Sequence, residues 1–121
     1  MSAPIILIVE DEYLIRLTLA EALTEDGFTV LEAATGAQAL AAAGAQAGIA
    51  LLLTDIQLPG GMDGVALARR LREAAPDLPV IFMTGRPDRG AAAAATARDV
   101  WITKPYPLSE VCAAARRLTR R

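Results

Sequence analysis

The sequence has 121 residues, which is enough for one domain with a single hydrophobic core and too few for two domains of ordinary size. Its net charge of -2 argues against direct binding to nucleic acid, and no apolar stretch approaches the ~20 residues of a membrane-spanning helix. The chain start lacks the basic region of a signal peptide, and the single cysteine, Cys112, cannot form an internal disulfide. These features predict a cytoplasmic domain with no membrane contact.

Apolar β-rich runs alternate along the chain with segments of helical spacing. The predicted elements are, in order, a strand at Ile5–Val9, a helix at 13–23, a strand at 28–31, a helix capped by Thr35, a strand at Ile49–Asp55, a helix capped by Asp63, a strand at 79–84, an alanine-rich helix at 88–97, a strand at 100–103 and a helix at 108–118.

This alternation is typical of a parallel sheet with helices on both faces. For a domain of this size it predicts an α/β, doubly wound, flavodoxin-like fold with five strands in the order 2-1-3-4-5. The chain reverses direction between strands one and three in this order. A crevice therefore opens there, at the carboxyl edge of the sheet.

Polar side chains follow four of the five predicted strands. Glu10 and Asp11 follow the first strand, Asp55 ends the third, Thr84 ends the fourth, and Lys104 follows the fifth. The second strand, at the sheet edge outside the crevice, is followed by Glu32-Ala33-Ala34, which brings no cluster of acids or hydroxyls. Each residue alone has an ordinary explanation, such as a turn, a helix N-terminus or a solvated charge. Their convergence on one edge favours a functional site.

The residue types indicate phosphoryl chemistry. Clustered carboxylates with access to water favour a hard divalent cation, and the ion expected here is Mg²⁺. A carboxylate such as Asp55 is a possible nucleophile toward phosphorus when nearby positive charge, here Lys104 and the metal, neutralises the phosphoryl oxygens. Because the chain contains neither GxxxxGK[ST] nor GxGxxG, we do not expect a nucleotide donor bound in the crevice.

Over its whole length the chain resembles the bacterial two-component response-regulator receiver domain, of the chemotaxis-regulator type. The resemblance rests on the Glu10-Asp11 pair, Asp55 in Thr-Asp-Ile-Gln-Leu-Pro followed by Met-Asp-Gly, Thr84 in Met-Thr-Gly, and Lys104-Pro105. It implies that Asp55 accepts a phosphoryl group from a phosphohistidine on a sensor histidine kinase or a histidine phosphotransfer protein. Since this chain has no histidine, the donor must be another molecule.

The resemblance also implies a set of metal ligands. Asp11, Asp55 and the main-chain carbonyl of Gln57 would coordinate Mg²⁺, and Glu10 would act largely through water. Such a module catalyses only its own phosphorylation and dephosphorylation, so we do not expect an enzyme acting on outside substrates. We expect residues 1–121 to form a single receiver domain with no output domain.

Further residues are implied to carry the response to phosphorylation. Thr84 and Lys104 would contact the phosphoryl oxygens, and the Lys104-Pro105 peptide bond is expected to be cis. Trp101 occupies the family's switch-aromatic position. An unidentified downstream protein is expected to bind the face formed by the fourth helix, the fifth strand and the fifth helix.

Two alternatives stay open. Aspartate-nucleophile phosphatases typically carry a second Asp two residues after the nucleophile, where this chain has Gln57. A receiver-shaped interaction domain that ignores phosphate is the other alternative, although the complete set of acids argues against it. Phosphorylation that depends on Asp55 would exclude the domain that ignores phosphate.

Overall fold

The computed structural model describes residues 3–85 and 98–119, and within them one parallel sheet has the strand order β2-β1-β3-β4-β5. The strands are β1 Ile5–Val9, β2 Thr29–Ala33, β3 Ile49–Asp55, β4 Val80–Thr84 and β5 Asp99–Thr103, and the helices are α1 Tyr13–Glu25, α2 Gly36–Ala45, α3 Gly64–Ala74 and the C-terminal helix Leu108–Thr119. The predicted doubly wound fold and its strand order are confirmed. The predicted helix at 88–97 lies outside the described residues.

The sheet is buried on both faces because side chains alternate along each strand. On β1, Ile6 and Ile8 pack in one cluster with residues of α1 and the C-terminal helix, whereas Leu7 and Val9 pack in a second cluster with residues of α2 and α3. All four side chains are fully buried. This double coverage explains why the central strands read as continuous apolar runs, and it leaves their carboxyl ends as the place where polar side chains reach water.

Two of the predicted helix caps are present. The Thr35 hydroxyl accepts a hydrogen bond of 3.1 Å from the Gln38 amide at the start of α2. The Asp63 carboxylate accepts one of 2.8 Å from the Ala66 amide at the start of α3. Each cap satisfies an amide that has no partner within its helix, and so fixes where the helix begins.

The second strand begins one residue later and ends two residues later than predicted. Gly27 has a φ of 98° just after α1, and the Phe28 amide donates back to the Leu23 carbonyl at 3.1 Å. Phe28 therefore belongs to the end of the helix in its hydrogen bonding, and β2 runs from Thr29 to Ala33.

An ion pair closes the opposite, amino edge of the sheet. Arg72, in α3, donates to a carboxylate oxygen of Asp99 at 2.6 Å and to the Leu78 carbonyl at 2.8 and 3.0 Å. The Asp99 carboxylate is fully buried. This pair ties α3 to the segment before β4 and to the start of β5.

No helix among the described residues combines the length and the apolar character that crossing a bilayer requires.

Candidate functional site

A cavity of about 660 Å³ opens at the carboxyl edge of the sheet. Its lining consists of Glu10, Asp11, Glu12, Ile15, Asp55, Ile56, Gln57, Leu58, Pro59, Thr84, Gly85 and Lys104. The structure thus brings together the acids, hydroxyl and amine that the sequence places at four strand ends. Among the described residues, β2 contributes none to this lining. Trp101 does not line it either.

Lys104 contacts the carboxylate of Asp55 directly. Its Nζ lies 2.8 Å from Asp55 Oδ2 and 4.0 Å from Glu10 Oε1. The main-chain amide of Lys104 donates to the Thr84 carbonyl at 2.8 Å, so β4 sets the position of the lysine at the end of β5. The Lys104–Pro105 peptide bond is cis. Asp55 and Thr84 are both buried, with 7% and 6% of their surfaces exposed.

Three carboxylates share the floor of the cavity. Glu10, Asp11 and Asp55 each offer an oxygen within 4.8 Å of the other two. Oxygen donors at this spacing suit a hard divalent cation. Glu10 Oε1 is buried and accepts no hydrogen bond from any described residue, which also fits a site completed by a cation or its water shell. The residues present are therefore chemically suited to Mg²⁺.

Burial raises the pKa of Glu10 above its ordinary value of 4.5, and the nearby charge of Asp55 adds to the rise. The Glu12 amide, which donates to Glu10 Oε2 at 2.9 Å, and the Lys104 ammonium both oppose it. The net direction means that burial, more than any neighbouring charge, disfavours the ionised form of Glu10, so this carboxylate would gain from added positive charge. A bound cation would supply it.

Residues 6–116 match the profile of the response regulator receiver domain. The chain belongs to this family. It is therefore a receiver domain of the two-component response-regulator type, and its flavodoxin-like fold agrees with this assignment.

Curated relatives of this receiver domain are longer proteins. The transcriptional regulatory protein TcrA of Mycobacterium tuberculosis is 42% identical over 119 residues, covering 96% of this chain and 46% of TcrA. The DNA-binding transcriptional regulator NtrC of Escherichia coli is 35% identical over 119 residues, covering 97% of this chain and 25% of NtrC. The chain thus spans less than half the length of these two relatives.

Solved receiver structures have the same architecture. A response regulator receiver protein from Sinorhizobium medicae aligns with a TM-score of 0.90 at 28% identity, covering 98% of this chain and 95% of that one. A CheY-like receiver domain protein from Methanospirillum hungatei aligns with a TM-score of 0.86 at 26% identity, with the same coverage of both chains.

The raised pKa of Glu10 predicts how the stability of the metal-free receiver domain changes with pH. A carboxyl whose folded pKa exceeds its unfolded value favours folding below about pH 4.5, and that advantage is lost as pH rises through the folded pKa. Glu10→Gln should therefore raise the free energy of unfolding by about 1 kcal/mol at neutral pH and change it little near pH 4. Urea unfolding in a chelator at several pH values measures this. An equal effect at both pH values would contradict the prediction.

Gly64, the first residue of α3, supports Asp55 in a way that the sequence reading missed. A Cβ atom added at Gly64 would lie 2.2 Å from the Asp55 carbonyl oxygen and 3.1 Å from Ile56 Cα. The Gly64 amide donates to the Ile56 carbonyl at 2.7 Å. Glycine is therefore required by close backbone approach. Gly64 is the glycine of the Met-Asp-Gly motif, but the sequence of the motif alone does not indicate its close approach to the Asp55 carbonyl.

Tyr106, just after the cis proline, lies near Glu10 and Asp55 and was not predicted from the sequence to be part of this site. Burial raises its pKa to about 12, with smaller contributions from the charges of Glu10 and Asp55. The phenol is therefore neutral at physiological pH and adds no negative charge beside the acid cluster.

Proposed function

We propose that this receiver domain accepts a phosphoryl group on Asp55 from a phosphohistidine donor, with Mg²⁺, and that phosphorylation changes a surface recognised by another protein. The observation that carries the proposal is the 2.8 Å contact between Lys104 Nζ and Asp55 Oδ2, made beside the acid cluster of Glu10, Asp11 and Asp55. One point of the sheet edge therefore holds a carboxylate that can act as a nucleophile, a lysine ammonium in contact with it, and a group of carboxylates that could bind a metal ion.

In the proposed step, an Asp55 carboxylate oxygen forms a bond to phosphorus as the phosphorus–nitrogen bond of phosphohistidine breaks. The imidazole leaves with the electron pair and takes a proton from solvent. Lys104 Nζ, which neutralises the Asp55 carboxylate before transfer, is close enough to donate to a phosphoryl oxygen afterwards. The hydroxyl of Thr84, at the end of β4, would donate to another.

Asp11, Asp55 and the main-chain carbonyl of Gln57 are the proposed ligands of Mg²⁺, with Glu10 acting through water. Gln57 lines the same cavity as the three acids. When bound, the ion supplies positive charge that offsets the charge of the phosphoryl oxygens during transfer.

The donor histidine has to lie outside these 121 residues, because they contain none. The rim beside the acid cluster offers apolar surface for a protein donor: Leu14 and Tyr13 are 72% and 61% exposed. Leu14 also lines a groove with Tyr106 and Leu108, and Ile15 is common to this groove and the Asp55 cavity. An apolar surface next to the nucleophile supports docking of a sensor kinase or phosphotransfer protein there. We propose protein partners for this domain, with no direct contact to nucleic acid.

Trp101 is proposed to report the switch to the downstream partner. Its ring stacks on Phe82 with centroids 4.5 Å apart, and the two residues pair across β4 and β5. Phe82 lies two residues before Thr84 on β4, so movement of Thr84 toward a phosphoryl group would pull on this stack. The indole Nε1 is buried and donates to no described residue. A buried donor without an acceptor costs free energy, which would favour another position of the ring.

The test is to incubate the wild-type domain with acetyl phosphate, or with a phosphorylated histidine phosphotransfer protein, in the presence and absence of Mg²⁺. We expect a base-labile mass gain of one phosphoryl group only with Mg²⁺, and a change in the emission of Trp101, the single tryptophan. Unchanged emission would remove the switch role of Trp101. No mass gain from either donor would reject phosphoryl acceptance and favour the interaction-domain alternative.

Lys104→Met is expected to slow phosphorylation by about 10²-fold, because it removes the ammonium that lies 2.8 Å from Asp55 while keeping an unbranched side chain. Rates of phosphoryl uptake from acetyl phosphate at saturating Mg²⁺ measure this effect. Arg70→Met is the matched control, since Arg70 is an exposed cation of α3 that does not line the cavity. Equal slowing by both variants would mean that general loss of positive charge, and not the contact with Asp55, is responsible.

A further inference from the structure

We propose that Arg16 is a positioning residue for the metal-binding loop, and that it holds the Glu10-Asp11 backbone in the geometry that Mg²⁺ requires. The inference rests on the proposed function of the acid cluster. It assigns a role to a residue that does not line the Asp55 cavity and would not touch metal or phosphate.

Arg16 connects three elements. Its Nη1 donates to the main-chain carbonyl of Glu10 at 2.8 Å, just after the end of β1. Its Nε donates to Glu32 Oε1, on β2, at 3.1 Å. The guanidinium carbon also lies 5.5 Å from the centroid of the Tyr13 ring. One planar group on α1 therefore ties the loop of the acids to the neighbouring strand.

The positive charge of Arg16 is electrostatically unfavourable at this position for two reasons. A cation near a helix N-terminus is disfavoured by the helix dipole, and Arg16 lies one turn into α1. A guanidinium near the acid cluster also repels a divalent cation. The contacts with the Glu10 carbonyl and Glu32 offset these costs, which indicates that the hydrogen bonds are the reason for an arginine at this position.

The contact with the Glu10 carbonyl constrains the metal-binding loop. The amide of Glu10 donates to the Ala33 carbonyl at 3.0 Å, and its Oε2 accepts from the Glu12 amide at 2.9 Å. With the carbonyl held by Arg16, both sides of the Glu10 main chain are fixed. The peptide that Arg16 holds joins Glu10 to Asp11, so its orientation sets where both carboxylates point. This also gives β2 an indirect part in the site through Glu32.

A positioning role and a purely electrostatic role of Arg16 predict opposite changes in Mg²⁺ affinity when the residue is replaced. Measuring that affinity therefore separates the two roles. If Arg16 acts only through charge, Arg16→Met removes a repulsive cation and tightens Mg²⁺ binding. If Arg16 positions the loop, the same change weakens binding. Residues that orient metal ligands typically contribute 10- to 100-fold in affinity, and for Arg16→Met we expect about a 10-fold increase in the Mg²⁺ dissociation constant.

The experiment is calorimetric titration of Mg²⁺ into wild-type, Arg16→Met and Arg16→Lys proteins, with no phosphodonor present. The lysine variant keeps the charge but cannot donate through a planar fork to the Glu10 carbonyl and Glu32 together. We expect it to bind Mg²⁺ more weakly than wild type and more tightly than Arg16→Met. Thermal unfolding in a chelator confirms that each variant is folded. If Arg16→Met does not fold, the lysine variant decides.

Arg116→Met is the matched control, because Arg116 forms an ion pair with Asp26 just beyond the other end of α1. It should leave the Mg²⁺ dissociation constant unchanged. Weaker binding by the two Arg16 variants, without the same effect in the control, supports the inference. Unchanged or tighter binding by Arg16→Met, or wild-type affinity in Arg16→Lys, would overturn it while leaving the proposed function intact. Absence of Mg²⁺ binding in the wild type would overturn both.

Discussion

Asp55→Asn is expected to lose all phosphoryl uptake, from acetyl phosphate and from a phosphohistidine protein alike. The amide has nearly the shape of the carboxylate, so it fits the same buried position at the end of β3, and its oxygen can still accept a hydrogen bond from Lys104. It lacks the charged oxygen that forms the bond to phosphorus. Intact-protein mass spectrometry under neutral conditions measures the loss, because the aspartyl phosphate is labile in base.

Asp63→Asn is the matched control for this variant. Asp63 caps α3 and does not line the cavity, and asparagine is an equally good cap. The control should be phosphorylated as wild type is. Phosphoryl uptake that persists in Asp55→Asn would place the acceptor elsewhere, and equal loss in both variants would point to damage of the loop between β3 and α3.

Gly64→Ala is expected to cause the largest loss of stability, about 3–5 kcal/mol. The added methyl group would lie 2.2 Å from the carbonyl oxygen of Asp55, and both atoms belong to or adjoin the backbone, so no side-chain rotation relieves the overlap. The β3 end and the start of α3 must separate, and the Asp55 carboxylate moves with them. Urea unfolding should give a much lower midpoint, together with slower phosphorylation.

Gly44→Ala supplies the control with the opposite expected sign. Gly44 lies within α2 and a Cβ atom added there meets nothing within 4 Å. Alanine is the better helix former, so this variant should gain about 0.5–1 kcal/mol. A wild-type unfolding midpoint in Gly64→Ala would contradict the close approach on which the positioning of Asp55 depends.

The strands and their order could be predicted because each strand is marked by a run of apolar residues that is local in the sequence. Runs such as Ile5–Val9 and Ile49–Asp55 are short and mostly apolar, which suits strands covered on both sides, and the right-handed crossover rule then restricts the order. The carboxyl ends of parallel strands lie at one edge, so residues far apart in sequence could be assigned to one site before any distance was known.

The contacts that support the site could not be predicted in the same way. Arg16 and Glu32 are paired because β1 and β2 are neighbours in a specific register, and the sequence carries no sign of which arginine reaches which acid. Arg72 and Asp99 are equally remote in the chain. Arg16 did leave one clue, since a cation near a helix N-terminus needs a local acceptor. Gly64 required knowledge of how closely α3 approaches the end of β3.

The most direct test of phosphoryl acceptance by Asp55 is to find the residue that carries the phosphoryl group in the wild-type protein. Phosphorylated domain is treated with borohydride, which reduces an acyl phosphate to an alcohol, and the peptides are then sequenced by mass spectrometry. We expect a single reduced residue, at position 55, formed only when Mg²⁺ was present during phosphorylation. Reduction at another carboxylate, or at position 55 regardless of Mg²⁺, would contradict it.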